Sequence, residues 1–257
     1  MVAAVATVAG ADPSVALRLG ASMTALQASI GTLNDLVDAP SDAGHKPGKP
    51  IPAGLVSADL ARVIFVVTAG LGLGLAAVSG AGLLLLAGVV LAIGYAYDLV
   101  AKGTAWSWLP FAVGIPILPV YGWYGATGGL AEVFVVLVPA AMLGGAALAM
   151  ANARADLERD AGAGRGSIAA RLGDRRSWSV HVACWLGVAV LAAAWLGGRG
   201  SGASSLAIIL VTIGTGIVAA GVSLGREAGP AGRERAWELE AVGAAILAIG
   251  VLMTAAG

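Results

Sequence analysis

Apolar and polar positions follow one another along this chain in long blocks. Apolar runs cover about residues 2–10, 14–33, 60–79, 81–98, 106–124, 131–152, 178–197, 204–224 and 238–256, with short polar connections between them. Eight of these runs have roughly the 20 residues a helix needs to cross a hydrocarbon core. The first has about half that length, which predicts a re-entrant or truncated helix, or a true start further upstream. A backbone in lipid must satisfy its hydrogen bonds internally, so runs of this length imply helices. The pattern predicts an all-α, polytopic membrane bundle of about nine helices, the first one short, forming a single domain over residues 1–257.

Composition strengthens that reading. The mean hydropathy is +0.88, hydrophobic residues make up 58% and charged residues only 12%. Thirty-nine glycines would weaken soluble helices, but in a membrane small residues let helix backbones approach closely. The formal net charge is zero and no basic run is interleaved with aromatics, which argues against a nucleic-acid partner. The single cysteine, Cys184, lies in an apolar run and reads as a small core hydrophobe. The N-terminus lacks the positive region of a secretory signal, so cleavage is not expected.

The cations fix an orientation. Lys46, Lys49 and Arg62 follow the second run, Lys102 the fourth, six arginines from Arg154 to Arg176 the sixth, and Arg226, Arg233 and Arg235 the eighth. Only Arg18 and Arg199 fall elsewhere. The positive-inside rule places these four connections in the cytoplasm and makes the protein a multi-pass cell-membrane protein.

Two of the cytoplasmic connections resemble each other. NDLVDAPSDAG, starting at Asn34, and NARADLERDAG, starting at Asn152, share the pattern N-x-x-x-D-x-x-x-D-A-G. Spacing of four puts Asn152, Asp156 and Asp160 on one helical face, and Asn34 with Asp38 on another. Pro40 is expected to break the first stripe, leaving Asp42 on a bend or loop, with Asp35 at its side. Solvated helix ends are the plain alternative. Yet both stripes lie at C-terminal helix ends, where the macrodipole disfavours anions, so a compensating positive charge is expected. Oxygen donors without His or Cys suit Mg²⁺, which is commonly held by one or two carboxylates together with substrate phosphates. Two such half-sites could clamp one diphosphate. Lys46, Lys49, Lys102, Arg159 and Arg165 are placed to touch its outer oxygens.

These segments resemble the UbiA superfamily of intramembrane prenyltransferases. NDLVDAPSD is similar to its first aspartate motif, KPGKPIPAG to the proline-rich segment after it, ARADLERDAGAGRGSIAARLG to the second motif, and YAYDLVAKGTAWSWLP, with Tyr97 and Lys102, to its Y-x-x-x-x-K connection. Ala153, Arg154 and Ser167 depart from the usual second motif. The resemblance implies a central cavity and an Mg²⁺-dependent transfer of an isoprenoid from a prenyl diphosphate to a hydrophobic or aromatic acceptor among the membrane lipids. It implies that Asn34, Asp38 and Asp42, with Asp35 nearby, hold one metal, and Asp156 and Asp160, with Asn152 alongside, the other. Lys102 and the motif-loop cations would bind diphosphate. A terpene cyclase of the same fold, a cation transporter and a noncatalytic lipid-binding protein are the competing readings. A transporter would need its carboxylates nearer the bilayer midplane.

Remaining polar residues have plainer expectations. His45 reads as a solvated loop residue and His181 as an interfacial one. Trp106, Trp108, Tyr121, Trp123 and Tyr124 fit an aromatic belt, and Arg18 a snorkelling cation on the outer side. Tyr97 is a candidate cavity residue.

Overall fold

The computed structural model describes residues 1–44, 48–157, 166–227 and 229–255. Ten α-helices occur among the described residues: α1 (Val2–Val8), α2 (Pro13–Asp42), α3 (Ala58–Ala77), α4 (Ala81–Ala96), α5 (Leu109–Thr127), α6 (Phe134–Ala155), α7 (Ile168–Leu172), α8 (Asp174–Arg199), α9 (Ser205–Glu227) and α10 (Pro230–Leu252). Nine correspond to the nine apolar runs. The tenth, α7, is a single turn started by Ser167, whose hydroxyl accepts from the Ala170 amide.

Among the described residues, seven segments are long and apolar enough to cross a membrane: α3, α4 with the turn that follows it, α5, α6, α8, α9 and α10. α2, with 30 residues the longest helix, is not among them. Arg18 and Gln27 lower its hydropathy most, and its serines add to this while serving the bundle interior. Ser22 donates to the Gly72 carbonyl at 2.7 Å and lies 2.6 Å from the Tyr121 hydroxyl. Two turns further on, Ser29 donates to the Phe65 carbonyl at 2.9 Å and lies 2.7 Å from the Tyr95 hydroxyl. One polar stripe thereby ties α2 to α3, α4 and α5, and each buried hydroxyl has a partner.

Two large apolar clusters make up most of the core, and a small third one joins Met150 and Ala153 of α6 to Ala169 of α7. α1 to α5 enclose one cluster around Leu19, Leu26, Leu83 and Tyr121. α5, α6, α8, α9 and α10 enclose the other around Leu137, Trp185, Val188 and Leu247. The short α1 sits between them: Val2 and Ala6 join the first cluster, Val5 the second. In the second half α9 and α10 approach through glycines. A Cβ on Gly243 would stand 2.8 Å from the Gly214 carbonyl oxygen.

Three expectations need correction. Tyr121 and Trp123 belong to the core, not to an aromatic belt, with exposures of 0% and 6%. His181 is buried as well; its Nε2 lies 2.7 Å from Glu240 Oε2, a carboxylate that also accepts from Trp185 Nε1 at 2.8 Å. An apolar run hides such a partner when it sits on another helix. Arg18 lies at the end of the bundle opposite the two motifs, where it donates to Ser79 Oγ in the α3–α4 turn.

Candidate active site

The first motif is a continuous helical stripe. α2 runs through Pro40 and ends at Asp42, so Asp42 is a helical residue and not part of a loop. Pro40 lies in the last turn, where the helix has little left to lose, and the Ala43 amide still closes on the Ala39 carbonyl. Asn34, Asp38 and Asp42 therefore follow one another at roughly 6 Å intervals along the helix axis. Asp42 is buried. The second motif starts as expected and then departs. α6 stops at Ala155 and Asp156 caps it, its amide bonded to the Asn152 carbonyl at 3.2 Å. Asp160, Arg159 and Arg165 lie outside the described residues, as do Lys46 and His45.

The compensating charges are lysines. Lys49 donates to Asp35 and Lys102 donates to Asp38. Burial pulls the Lys49 ammonium towards neutrality, but the hydrogen bond to Asp35 and the charges of Asp35, Asp42 and Asp38 outweigh it and raise its pKa.

Lys102 owes its position to two backbone devices. After α4 the chain makes one π-helical turn, Tyr97–Ala101, closed by the Lys102 amide on the Tyr97 carbonyl. Such single π turns interrupt α-helices mostly at functional places. Residues 101–104 then form a β-turn: the Thr104 amide bonds the Ala101 carbonyl at 3.1 Å, Lys102 has φ −59° and ψ 134°, and Gly103 has φ +72°. That is a type II turn, whose third residue needs the positive φ that glycine supplies.

Two cavities meet at this turn. The larger, about 620 Å³, runs between α2, α4 and α5 and is lined by Gln27, Asn34, Asp35, Lys49, Tyr97 and Asp98, together with apolar residues of α4 and α5. The smaller, about 50 Å³, is lined by Lys102, Asn152, Asp156 and Ser167. Tyr97 and Phe111 line both, their rings edge to face at 5.3 Å. Tyr97 is thus a cavity residue, and Lys102 joins Asp38 of the first motif to the space in front of the second. A deeper, mainly apolar cavity continues along α2, lined by Met23, Thr24, Gln27, Ile115 and Leu118.

Sequence reasoning missed two residues here. Asp98 is 5% exposed and its Oδ1 accepts from Asn34 Nδ2 at 2.8 Å. Its signal was a carboxylate at the very end of an apolar run. Arg154 is 3% exposed and donates to Asp174 at 2.8 Å, while Arg233 donates to the Arg154 carbonyl. It ties the end of α6 to α8 and α10, which accounts for a cation inside the motif.

The donor set suits a hard cation in kind: carboxylate and amide oxygens, with Asp98 Oδ2 buried and without a hydrogen-bond partner among the described residues. Among those residues no three acidic, His or Cys side chains converge on one point, and the second motif's last carboxylate, Asp160, lies outside them.

Comparison with known proteins agrees with this architecture. No curated protein matches by sequence. An apo UbiA homolog from Aeropyrum pernix K1 superposes with a TM-score of 0.78 at 20% identity, over 97% of this chain and 94% of that one. A digeranylgeranylglyceryl phosphate synthase does so with a TM-score of 0.73 at 16% identity, over 99% and 90%. A UbiA homolog from Archaeoglobus fulgidus bound to GPP and Mg²⁺ gives 0.68 at 21% identity, over 98% and 94%. These likenesses show the fold. The UbiA prenyltransferase family model matches residues 1–239, and the chain belongs to that family.

Proposed function

We propose that this protein transfers an isoprenoid group from a prenyl diphosphate to a hydrophobic or aromatic acceptor within the membrane, with Mg²⁺ as cofactor. The observation that carries the reading is the meeting of both aspartate motifs at the Tyr97–Lys102 turn. Asn34, Asp35, Asp38 and Asp42 would hold one metal, and Asn152, Asp156 and Asp160 the other. The bound Mg²⁺ would neutralise charge developing on the departing diphosphate. Lys102 and Lys49 would exchange Asp38 and Asp35 for phosphate oxygens, with Lys46, Arg159 and Arg165 reaching the same group from the motif loops. The isoprenoid would lie in the apolar cavity along α2 and α5. Its C1–O bond breaks as the diphosphate leaves, the apolar walls keep water from the allylic cation, and the acceptor attacks C1 and then loses a proton. A digeranylgeranylglyceryl phosphate synthase and a homolog bound to GPP and Mg²⁺ among the structural neighbours support the substrate class.

Radiolabelled geranyl diphosphate supplied to membranes containing the protein, with cell lipids and with quinone precursors, tests the activity. Label should move to a lipid-extractable acceptor product. Asp38→Asn and Asp156→Asn should each abolish transfer, and the double variant should lose little more, because residues acting as one unit are non-additive. A labelled hydrocarbon formed without any acceptor would indicate a cyclase instead.

A further inference from the structure

On the wall of the cavity between α2, α4 and α5 stands one acidic side chain that neither aspartate motif contains. Asp98 sits in the π-helical turn, 5% exposed, and meets the first motif through one bond, from Asn34 Nδ2 to its Oδ1 at 2.8 Å. Asn34 lines the same cavity. An asparagine amide can bind a cation only through its oxygen; turned over, it would present N–H groups to the positive charge. Nothing intrinsic to the side chain selects between the two orientations. An ionised carboxylate does select, because it only accepts: it bonds the amide nitrogen and repels the amide oxygen.

We propose that Asp98 is a positioning residue for the first motif, holding Asn34 by its nitrogen so that the amide oxygen is the atom offered to the cation and diphosphate in the cavity. The position is costly. Asp98 Oδ2 is buried without a hydrogen-bond partner among the described residues, a condition native interiors seldom tolerate away from sites of function. Carboxylates that orient metal ligands from behind form a general pattern, and losing one commonly weakens metal binding about 10- to 100-fold. The π-helical turn explains the fit. The same turn that aims Lys102 at Asp38 brings Asp98 against Asn34, so one interruption of α4 serves two residues of the stripe on α2.

This role rests on the metal–diphosphate reading above. The test measures Mn²⁺ binding by the full-length protein in detergent, from loss of the free-ion electron paramagnetic resonance signal, with saturating geranyl thiodiphosphate. Asp98→Ala should weaken Mn²⁺ binding about 10- to 100-fold. Asp98→Leu, which fills the same space without an acceptor, should match it. Asp98→Asn keeps an acceptor oxygen but can also donate, so it no longer selects the Asn34 orientation and should bind more weakly than the wild type and no more weakly than Asp98→Ala. On an Asn34→Ala background, Asp98→Ala should change affinity less than about twofold, because its partner is gone. Unchanged affinity in Asp98→Ala and Asp98→Leu overturns the role, as does Asp98→Asn binding as well as the wild type, or penalties that multiply with Asn34→Ala. A wild type that binds no Mn²⁺ beside the thiodiphosphate removes the functional reading itself. Normal wild-type binding with unaffected variants removes only the role of Asp98.

Discussion

Lys49 shows how the acidic end of α2 is stabilised residue by residue. Its pKa is raised: burial opposes the charge, but the Asp35 hydrogen bond and the charges of Asp35, Asp42 and Asp38 prevail. A raised lysine favours the folded state at every pH below the ordinary lysine range, and this contribution fades only as pH rises through the raised value. The stability difference between wild type and Lys49→Met should therefore be constant between about pH 6 and about pH 9, and should shrink only in more alkaline solution. Thermal melting in detergent across that range checks it; a difference already gone at about pH 8 would contradict the pairing. Residue identities in the two motifs were legible from spacing alone. Their pairings were not, because Lys49 and Lys102 reach their aspartates across 14 and 64 positions, distances no local pattern encodes. Asp98 escaped for the same reason: its partner, Asn34, is 64 positions away.

At the scale of elements, hydropathy placed nine helices correctly and misjudged the polar residues inside them. The chain continues helically past Pro40 because a proline in the last turn removes little, so Asp42 joined the stripe that Pro40 was expected to end. His181 looked interfacial near the start of its run, yet Glu240 on α10 and Trp185 one turn on enclose it. This trio clamps α8 to α10. Truncating Glu240 to Ala would leave the Trp185 N–H and the His181 ring without that acceptor and should cost about 3 kcal/mol. Denaturant unfolding of purified protein measures this, and a loss below about 1 kcal/mol would mean the trio is not a clamp. Transfer activity should survive at temperatures where Glu240→Ala remains folded, since neither motif contains the trio.

For the whole molecule, the cation distribution and the fold point the same way. The two aspartate motifs, the Lys102 turn and the starts of α3, α5, α8 and α10 lie at one end of the bundle, and thirteen of the fifteen cations belong to the connections there. That end should face the cytoplasm. In a Cys184→Ser background, Leu55→Cys, 79% exposed in the wild type, should react with an impermeant thiol reagent only after cells are opened. Leu130→Cys, 54% exposed at the other end, should react in intact cells. The reverse pattern would invert the topology. The central claim is that both acidic motifs and one diphosphate form a single metal-linked unit across the two halves of the bundle. Linkage then requires reciprocity: Mg²⁺ must tighten prenyl diphosphate binding by the same factor as the diphosphate tightens Mg²⁺ binding. Calorimetry on purified protein tests this most directly, titrating geranyl thiodiphosphate with and without Mg²⁺, and then Mg²⁺ with and without the thiodiphosphate. The account predicts two equal factors of at least about tenfold; thiodiphosphate affinity that is the same with and without Mg²⁺ would contradict it.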